Sequence, residues 1–153
     1  MKHRVSLMVA AAWWGSLTGL GFVVVPLLFV YLPTPAAAGT IAARLFTAQA
    51  WLGIACAMLL LLLGMSGRKA GSQPEPVTQA ALKFVIAGFL FALLVEFGVA
   101  PRIVNARIAG DSLRLWHTLG SAMMVAQWLC VGLALWRLGQ PVDASPPPRA
   151  DLH

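Results

Sequence analysis

Four long apolar stretches divide the chain, with short polar or proline-containing segments between them. They run from Val5 to Tyr31, Leu45 to Met65, Leu82 to Ala100, and Leu115 to Leu138. A helix needs roughly 20 apolar residues to cross the hydrocarbon layer of a membrane. The pattern predicts an all-α integral membrane four-helix bundle, with helices over about 5–31, 36–65, 77–100 and 112–138 in one domain of residues 1–139.

The segments between the apolar stretches carry the expected helix breakers. Thr34 is placed to cap the second helix, with Pro35 at its first position, where the missing N–H costs nothing. A Gly- and Pro-containing hydrophilic loop follows Met65 and joins two helical hairpins. Residues 140–153 contain four prolines and no periodicity, which predicts a disordered tail.

The first apolar stretch follows a basic N-terminus and therefore also resembles a signal peptide. The apolar core of a signal peptide is only about 7 to 15 residues long, and this stretch is much longer, so we expect a retained first helix. Gly15 and Gly19 lie four residues apart within it. Such a pair of small residues predicts close packing against a neighbouring helix.

Composition supports a membrane protein with the lipid bilayer as its main surrounding. The chain is 59% hydrophobic and 10% charged, with a mean hydropathy of +0.81, whereas about a quarter of a typical soluble domain is charged. The net charge of +6 fits loop anchoring at anionic lipid. No basic patch with interleaved aromatic residues is present, so no nucleic-acid partner is expected.

The distribution of Lys and Arg predicts the orientation of the helices. The N-terminus, middle loop and tail hold seven basic residues, and the opposite side holds four: Arg44, Arg102, Arg107 and Arg114. The excess predicts that both termini are cytoplasmic in a multi-pass protein of the bacterial inner membrane.

Two short matches relate the halves of the chain. Phe22-Val-Val-Val-Pro26 corresponds to Phe97-Gly-Val-Ala-Pro101, and Arg44-Leu-Phe-Thr corresponds to Arg114-Leu-Trp-His. Because each half holds two helices, a duplicated two-helix hairpin would relate the halves by an axis along the membrane normal.

One cluster of ionisable residues is predicted at the outer end of the bundle. Glu96 interrupts the third apolar stretch, and we expect His117 at the same depth on the fourth helix. An ionisable group in a membrane helix is a functional-site hypothesis by default. The predicted cluster comprises Glu96, His117, Arg44, Arg102, Arg107, Arg114 and Ser121.

Two interpretations of this cluster remain open. In the first, Glu96 is an internal ion-pair partner of Arg44, Arg102 or Arg114, since a guanidinium matches a carboxylate in two places. In the second, Glu96 and His117 form a protonatable or ligand-binding pair. Asp111 or Ser121 is an alternative partner for His117.

Metal and haem sites are weaker alternatives. Soft copper(I) prefers thiolate and thioether ligands, and the sequence offers Cys56, Cys130, Met58, Met123 and Met124. The bland interpretation is that these residues fill space between helices. A haem would use His117 as axial ligand, with Arg114 or Arg107 at its propionates, but a second histidine would have to come from another chain.

Several segments together resemble a known family: Trp14-Gly15-Ser16, Gly21 to Phe29, Ala43 to Phe46, Val99 to Ile103, and His117 to Ser121. They resemble the bacterial membrane family called domain of unknown function 4149, which is similar to the transmembrane protein 205 group of eukaryotes. The resemblance implies a four-helix membrane protein without an assigned activity. It also implies a distant tie to copper-resistance D-type proteins and to a haem-binding protoporphyrinogen oxidase type, although this chain lacks their second membrane histidine.

The sequence contains no complete catalytic motif, so a non-enzymatic binding or transport-like module is favoured over an enzyme. Its ligand would be a small ion, a proton or a lipid headgroup at the Glu/Arg/His cluster. One alternative is a haem- or copper-binding redox protein. Another is a membrane scaffold subunit that assembles with copies of itself or with partner helices.

Overall fold

A computed structural model describes residues 2–65, 76–109 and 113–140, and every element in these ranges is helical. Helix 1 is Lys2–Tyr31, and helix 2 is Pro35–Met65. Helix 3 covers residues 76–109, and helix 4 is Leu113–Leu138. The four helices are long and apolar enough to cross a membrane. The predicted all-α fold with four membrane-length helices is therefore confirmed.

The helices form a bundle in which each one contacts the next, and helix 4 returns to contact helix 1. Small and aliphatic residues fill the centre, around a cluster that includes Ala57, Leu60, Val85 and Val131. Large apolar side chains such as Met8, Val30 and Trp136 cover the outside. An apolar exterior around an apolar centre is typical of a bundle surrounded by lipid.

Helices 1 and 3 each contain a π-helical segment just before a proline. The segments are Gly19–Val24 and Leu94–Val99, and each ends two residues before Pro26 or Pro101. Proline lacks the N–H of an α-helical turn, and its ring collides with the carbonyl four residues earlier. The wider π turn relieves that collision. The two segments occupy equivalent positions in the paired Phe-to-Pro motifs of the two halves.

The second π-helical segment changes the predicted length of helix 3. The backbone N–H of Ala100 donates to the carbonyl of Val95, which lies five residues earlier in the chain, as in a π-helix. This wider turn lets the helix continue through Pro101. The helix then continues as Ala100–Ala109, beyond the predicted end near residue 100. Pro101 is therefore accommodated within the helix and does not end it.

The short connection between helices 1 and 2 has the predicted cap. The backbone N–H of Ala37 donates to Thr34 Oγ1 at 3.2 Å, and Pro35 is the first residue of helix 2. This geometry satisfies one of the backbone donors left free at a helix start. The predicted role of Thr34 is confirmed.

Glycines at helix contacts differ from those that the sequence singled out. A Cβ atom at Gly15 or Gly19 would meet nothing within 4 Å, so neither residue mediates a close helix contact within this chain. A Cβ atom at Gly53, Gly64, Gly88 or Gly132 would lie within 3.1 Å of a side chain on another helix. Three of these glycines, Gly53, Gly88 and Gly132, lie against the indole rings of Trp13 and Trp14. The prediction for Gly15 and Gly19 is wrong for the packing of a single chain.

Several sequence predictions lie outside the described residues. They concern the hydrophilic loop after Met65, Asp111, and the tail after residue 140.

Cys56 and Cys130 are both free thiols and half-buried.

Candidate functional site

The contacts between helices 3 and 4 fix the level of each predicted site residue. A Cβ at Gly88 would lie 3.1 Å from Val131, and a Cβ at Gly120 would lie 3.4 Å from Val99. These two antiparallel contacts agree on one register. By that register, Glu96 lies level with Met123, and Arg102 lies level with His117.

The contacts between helices 2 and 3 likewise fix which residues of these two helices lie at the same level. The ring centroids of Trp51 and Phe97 are 6.2 Å apart, and a Cβ at Gly64 would meet Leu82 at 3.0 Å. This register places Arg44 near the level of Arg102, toward the outer end, which is the end where helices 1 and 3 stop and helices 2 and 4 begin.

Four residues of the predicted cluster lie nearer to the outer end than Glu96 and are called the basic rim: Arg44, Arg102, Arg114 and His117. All four side chains are exposed. The Arg102 guanidinium donates from Nη1 to the carbonyl of Gly98 at 2.8 Å, and it lies 5.2 Å from the ring centroid of Trp116. The first contact joins the guanidinium to the backbone of its own helix, and the second is a cation–π interaction. The side chain of Arg107 lies outside the described residues.

Glu96 lies deeper than the rim, inside the π-helical segment of helix 3. It follows Ala92 by four residues on the core-facing side of the helix and is half-buried. No hydrogen bond or ion pair joins its carboxyl group to another residue in the described part of the chain. Within the same ranges it is the only Asp or Glu.

The expectation of a common depth for Glu96 and His117 is corrected by the register. Six residues of helix 4 separate His117 from the level of Met123, which is about 9 Å at 1.5 Å per residue. The reason is the continuation of helix 3 through Pro101, which moves the end of that helix outward. His117 and Ser121 are also exposed and share an outward face of helix 4 with Val125 and Leu129. Whether the predicted residues act together stays a prediction.

A polar layer lies at the centre of the bundle and was not predicted from the sequence. Trp13 is 0% exposed, Gln127 is 5% exposed and Gln49 is 8% exposed. By the helix 3–helix 4 register, Gln127 lies one turn below the level of Glu96. Polar groups this deep require hydrogen-bond partners, because neither lipid nor packed side chains supply them.

Two chains of hydrogen bonds lie in this layer and beside it. Gln49 Nε2 donates to Ser16 Oγ at 2.9 Å, and the Ser16 hydroxyl donates to the carbonyl of Trp13 at 2.8 Å. Trp128 Nε1 donates to Thr18 Oγ1 at 2.9 Å, and the Thr18 hydroxyl donates to the carbonyl of Trp14. These chains tie helix 1 to helices 2 and 4 through polar contacts.

Three buried donors in this layer or near it have no partner in the described structure. They are Trp13 Nε1, Trp14 Nε1 and Gln127 Nε2. One sequence signal could have identified the two glutamines of the layer. Gln49 and Gln127 are amides inside apolar stretches, and polar residues in membrane helices usually face the bundle interior.

Metal binding was a low-ranking alternative in the sequence. Among the described residues, no group of three or more His, Cys, Asp or Glu side chains is arranged to hold a metal ion. The copper hypothesis also used methionine sulfurs, and the haem hypothesis used a second chain, so both stay predictions.

Comparison with known proteins gives one family. The model of the family described as Domain of unknown function (DUF4149) matches residues 8–112. The match includes Trp13, Gln49 and Glu96, and it ends before helix 4. No curated protein and no solved structure matches the chain.

Proposed function

Because the chain belongs to the family described as Domain of unknown function (DUF4149), a description that assigns no activity, we propose a function from the site itself. The protein is a non-enzymatic binding or transport-like module that takes up a proton or a small cation at Glu96. One observation carries this proposal: Glu96 is half-buried among apolar helices without a partner in the described part of the chain. An acid kept at such a position is costly, and uptake of a proton or cation removes its charge.

The surroundings of Glu96 favour reversible occupancy over a permanent ion pair. Arg102, the nearest rim guanidinium along helix 3, is engaged by the carbonyl of Gly98 and by Trp116. Arg44 and His117 lie closer to the outer end and are exposed. The carboxyl group is therefore available to an incoming cation or proton.

The basic rim would contact the lipid surface in this proposal. Exposed guanidiniums near the ends of membrane helices attract anionic headgroups. Arg107, between Arg102 and Arg114 in the sequence, would add a further guanidinium at this end of the bundle. In this proposal, the arginines anchor the protein at the lipid surface and contribute a positive electrostatic field, whereas Glu96 is the group that changes its charge.

The proposed setting is the bacterial inner membrane with both termini in the cytoplasm, supported by seven basic residues against four. We also propose that the bundle arose from a duplicated hairpin. The equivalent π-helical segments Gly19–Val24 and Leu94–Val99 support that origin.

Infrared spectroscopy of the protein in lipid nanodiscs tests the uptake of a proton. The carbonyl stretch of a protonated carboxyl is recorded as the pH is raised, for the native chain and for Glu96→Gln. We expect a band that disappears on titration in the native protein and that Glu96→Gln lacks from the start. Glu96→Asp should restore a shifted band.

The matched control is Glu75→Gln, which removes the other glutamate of the chain and should leave the band unchanged. A sodium or lithium salt that competes for the site should lower the pH at which the band disappears. The proposal is wrong if Glu96→Gln and the native protein give the same spectra throughout the titration.

A further inference from the structure

Two buried hydrogen-bond donors converge on one point of helix 2. A Cβ atom at Gly53 would lie 2.9 Å from Trp13 Nε1 and 3.3 Å from Gln127 Nε2. Helix 1 supplies the first donor, and helix 4 supplies the second. The two N–H groups therefore meet against the same bare stretch of backbone.

Packing holds Trp13 firmly in this position. Its other edge contacts helix 3, where a Cβ at Gly88 would lie 3.2 Å from Trp13 Cη2. The ring spans the bundle between two glycines and is 0% exposed. A residue confined on both sides cannot turn its N–H toward another acceptor without repacking the core.

Neither donor has an acceptor in the described structure, although neighbouring groups of the same types do. The indole of Trp128 reaches Thr18, and the amide of Gln49 reaches Ser16. Leaving a buried donor unpaired destabilises the folded protein, because the donor has lost its bond to water and gained none in return. Two such donors side by side indicate a site for an external acceptor.

The third unpartnered donor belongs to a different location. Trp14 Nε1 lies against helix 4, where a Cβ at Gly132 would be 2.8 Å away. Gly132 follows Gln127 by five residues, about 7.5 Å along the helix. Trp14 is therefore not part of the pair at Gly53.

The charge of the surroundings selects the chemistry of the occupant. In the described part of the chain, the charged residue nearest to this level is Glu96, one turn nearer to the outer end by the helix register. An anion between the two donors would lie close to that acid without a compensating cation. A neutral oxygen atom avoids this repulsion and accepts both N–H groups.

We propose that Trp13 Nε1 and Gln127 Nε2 form a binding site for one neutral oxygen acceptor in the middle of the bundle. The occupant is the carbonyl oxygen of a small membrane-soluble molecule or a buried water molecule, which present the same acceptor chemistry. The site is separate from Glu96 and does not depend on its titration. The two residues bind and orient the oxygen and carry out no bond-making step.

Nuclear magnetic resonance of the full chain with isotope-labelled tryptophan tests this site. The indole N–H signals are assigned with Trp13→Phe and Trp128→Phe in lipid bicelles. The probes are cyclohexanone, which carries a carbonyl, and methylenecyclohexane, which has nearly the same shape without an acceptor. The Trp128 signal serves as an internal control, because its N–H already has a partner.

We expect cyclohexanone to shift the Trp13 signal downfield in a saturable manner, while methylenecyclohexane and the Trp128 signal show no such shift. Gln127→Leu should weaken cyclohexanone binding severalfold, and Glu96→Gln should leave it unchanged. A water cross-peak at the Trp13 N–H that cyclohexanone displaces would identify water as the resting occupant and would also support the site.

Two results would overturn the inference. In the first, the Trp13 signal responds neither to water nor to cyclohexanone. In the second, the signal is already shifted downfield without ligand, shows no cross-peak to water and moves upfield in Gln127→Leu, because the amide oxygen of Gln127 itself accepts the indole N–H. Either result leaves the proposal for Glu96 standing.

Discussion

Trp13 determines which small residues the centre of the bundle requires. Its indole is enclosed between Gly53 on helix 2 and Gly88 on helix 3. In sequence, these glycines are indistinguishable from Gly15 and Gly19, which face no neighbour within 4 Å. Spacing alone predicts that small residues allow close approach, but the large residue that needs the space lies on another helix.

Substitution of Gly53 by Ala should destabilise the bundle. Alanine gains about 1 kcal/mol of helix propensity over glycine, but its Cβ would lie 2.9 Å from Trp13 Nε1. Overpacking of a confined ring costs about 1–3 kcal/mol, and Gly88 prevents the ring from moving away. We expect a net loss of about 1 kcal/mol in the free energy of unfolding, measured by denaturant titration in detergent micelles.

Gly15→Ala is the matched control for Gly53→Ala. Nothing lies within 4 Å of the added methyl group, so helix propensity should dominate and the unfolding free energy should stay equal or rise. If both variants change stability by the same amount and sign, Trp13 does not confine Gly53 as described.

At the scale of elements, the four helices could be predicted because apolar length and the Thr34–Pro35 start are local properties of the sequence. The continuation of helix 3 through Pro101 could not be predicted in the same way. It depends on a π-helical turn, which trades regular hydrogen bonds for relief of the proline collision. Because of that turn, helix 3 ends further out than the sequence predicted. Glu96 therefore lies deeper in the bundle than His117, not level with it.

Replacing Pro101 by Ala should convert Leu94–Val99 to regular α-helix. Alanine restores the backbone N–H and removes the ring that collides with the preceding turn. We expect slower amide hydrogen exchange over residues 94–101 and a change in the carboxyl band proposed for Glu96, whose side chain would rotate relative to the core. Exchange is measured by mass spectrometry of protein in nanodiscs.

Pro35→Ala is the control for Pro101→Ala, because Pro35 occupies the first position of helix 2, where its missing N–H is not needed. This variant should leave exchange over residues 94–101 unchanged. Equal exchange in the native chain and in Pro101→Ala would show that the proline does not maintain the π-helical segment.

For the whole molecule, the sequence indicated which residue types carry chemistry but not how the helices align. Glu96 was identified because it interrupts an apolar stretch. Its neighbours depend on the antiparallel registers set by Gly88 with Val131 and by Trp51 with Phe97. The central layer of Trp13, Gln49 and Gln127 emerges only after the bundle is assembled, since its members come from three helices.

By the helix 3–helix 4 register, Glu96 lies half-buried near the level of Met123, well below His117. Disulfide cross-linking measures this alignment, in a background in which Cys56→Ala and Cys130→Ala remove the native thiols. Val99→Cys with Gly120→Cys serves as the positive control, because a Cβ at Gly120 lies 3.4 Å from Val99. We predict that Glu96→Cys cross-links rapidly with Met123→Cys and slowly with His117→Cys, whereas the opposite order would show that Glu96 lies at the level of His117.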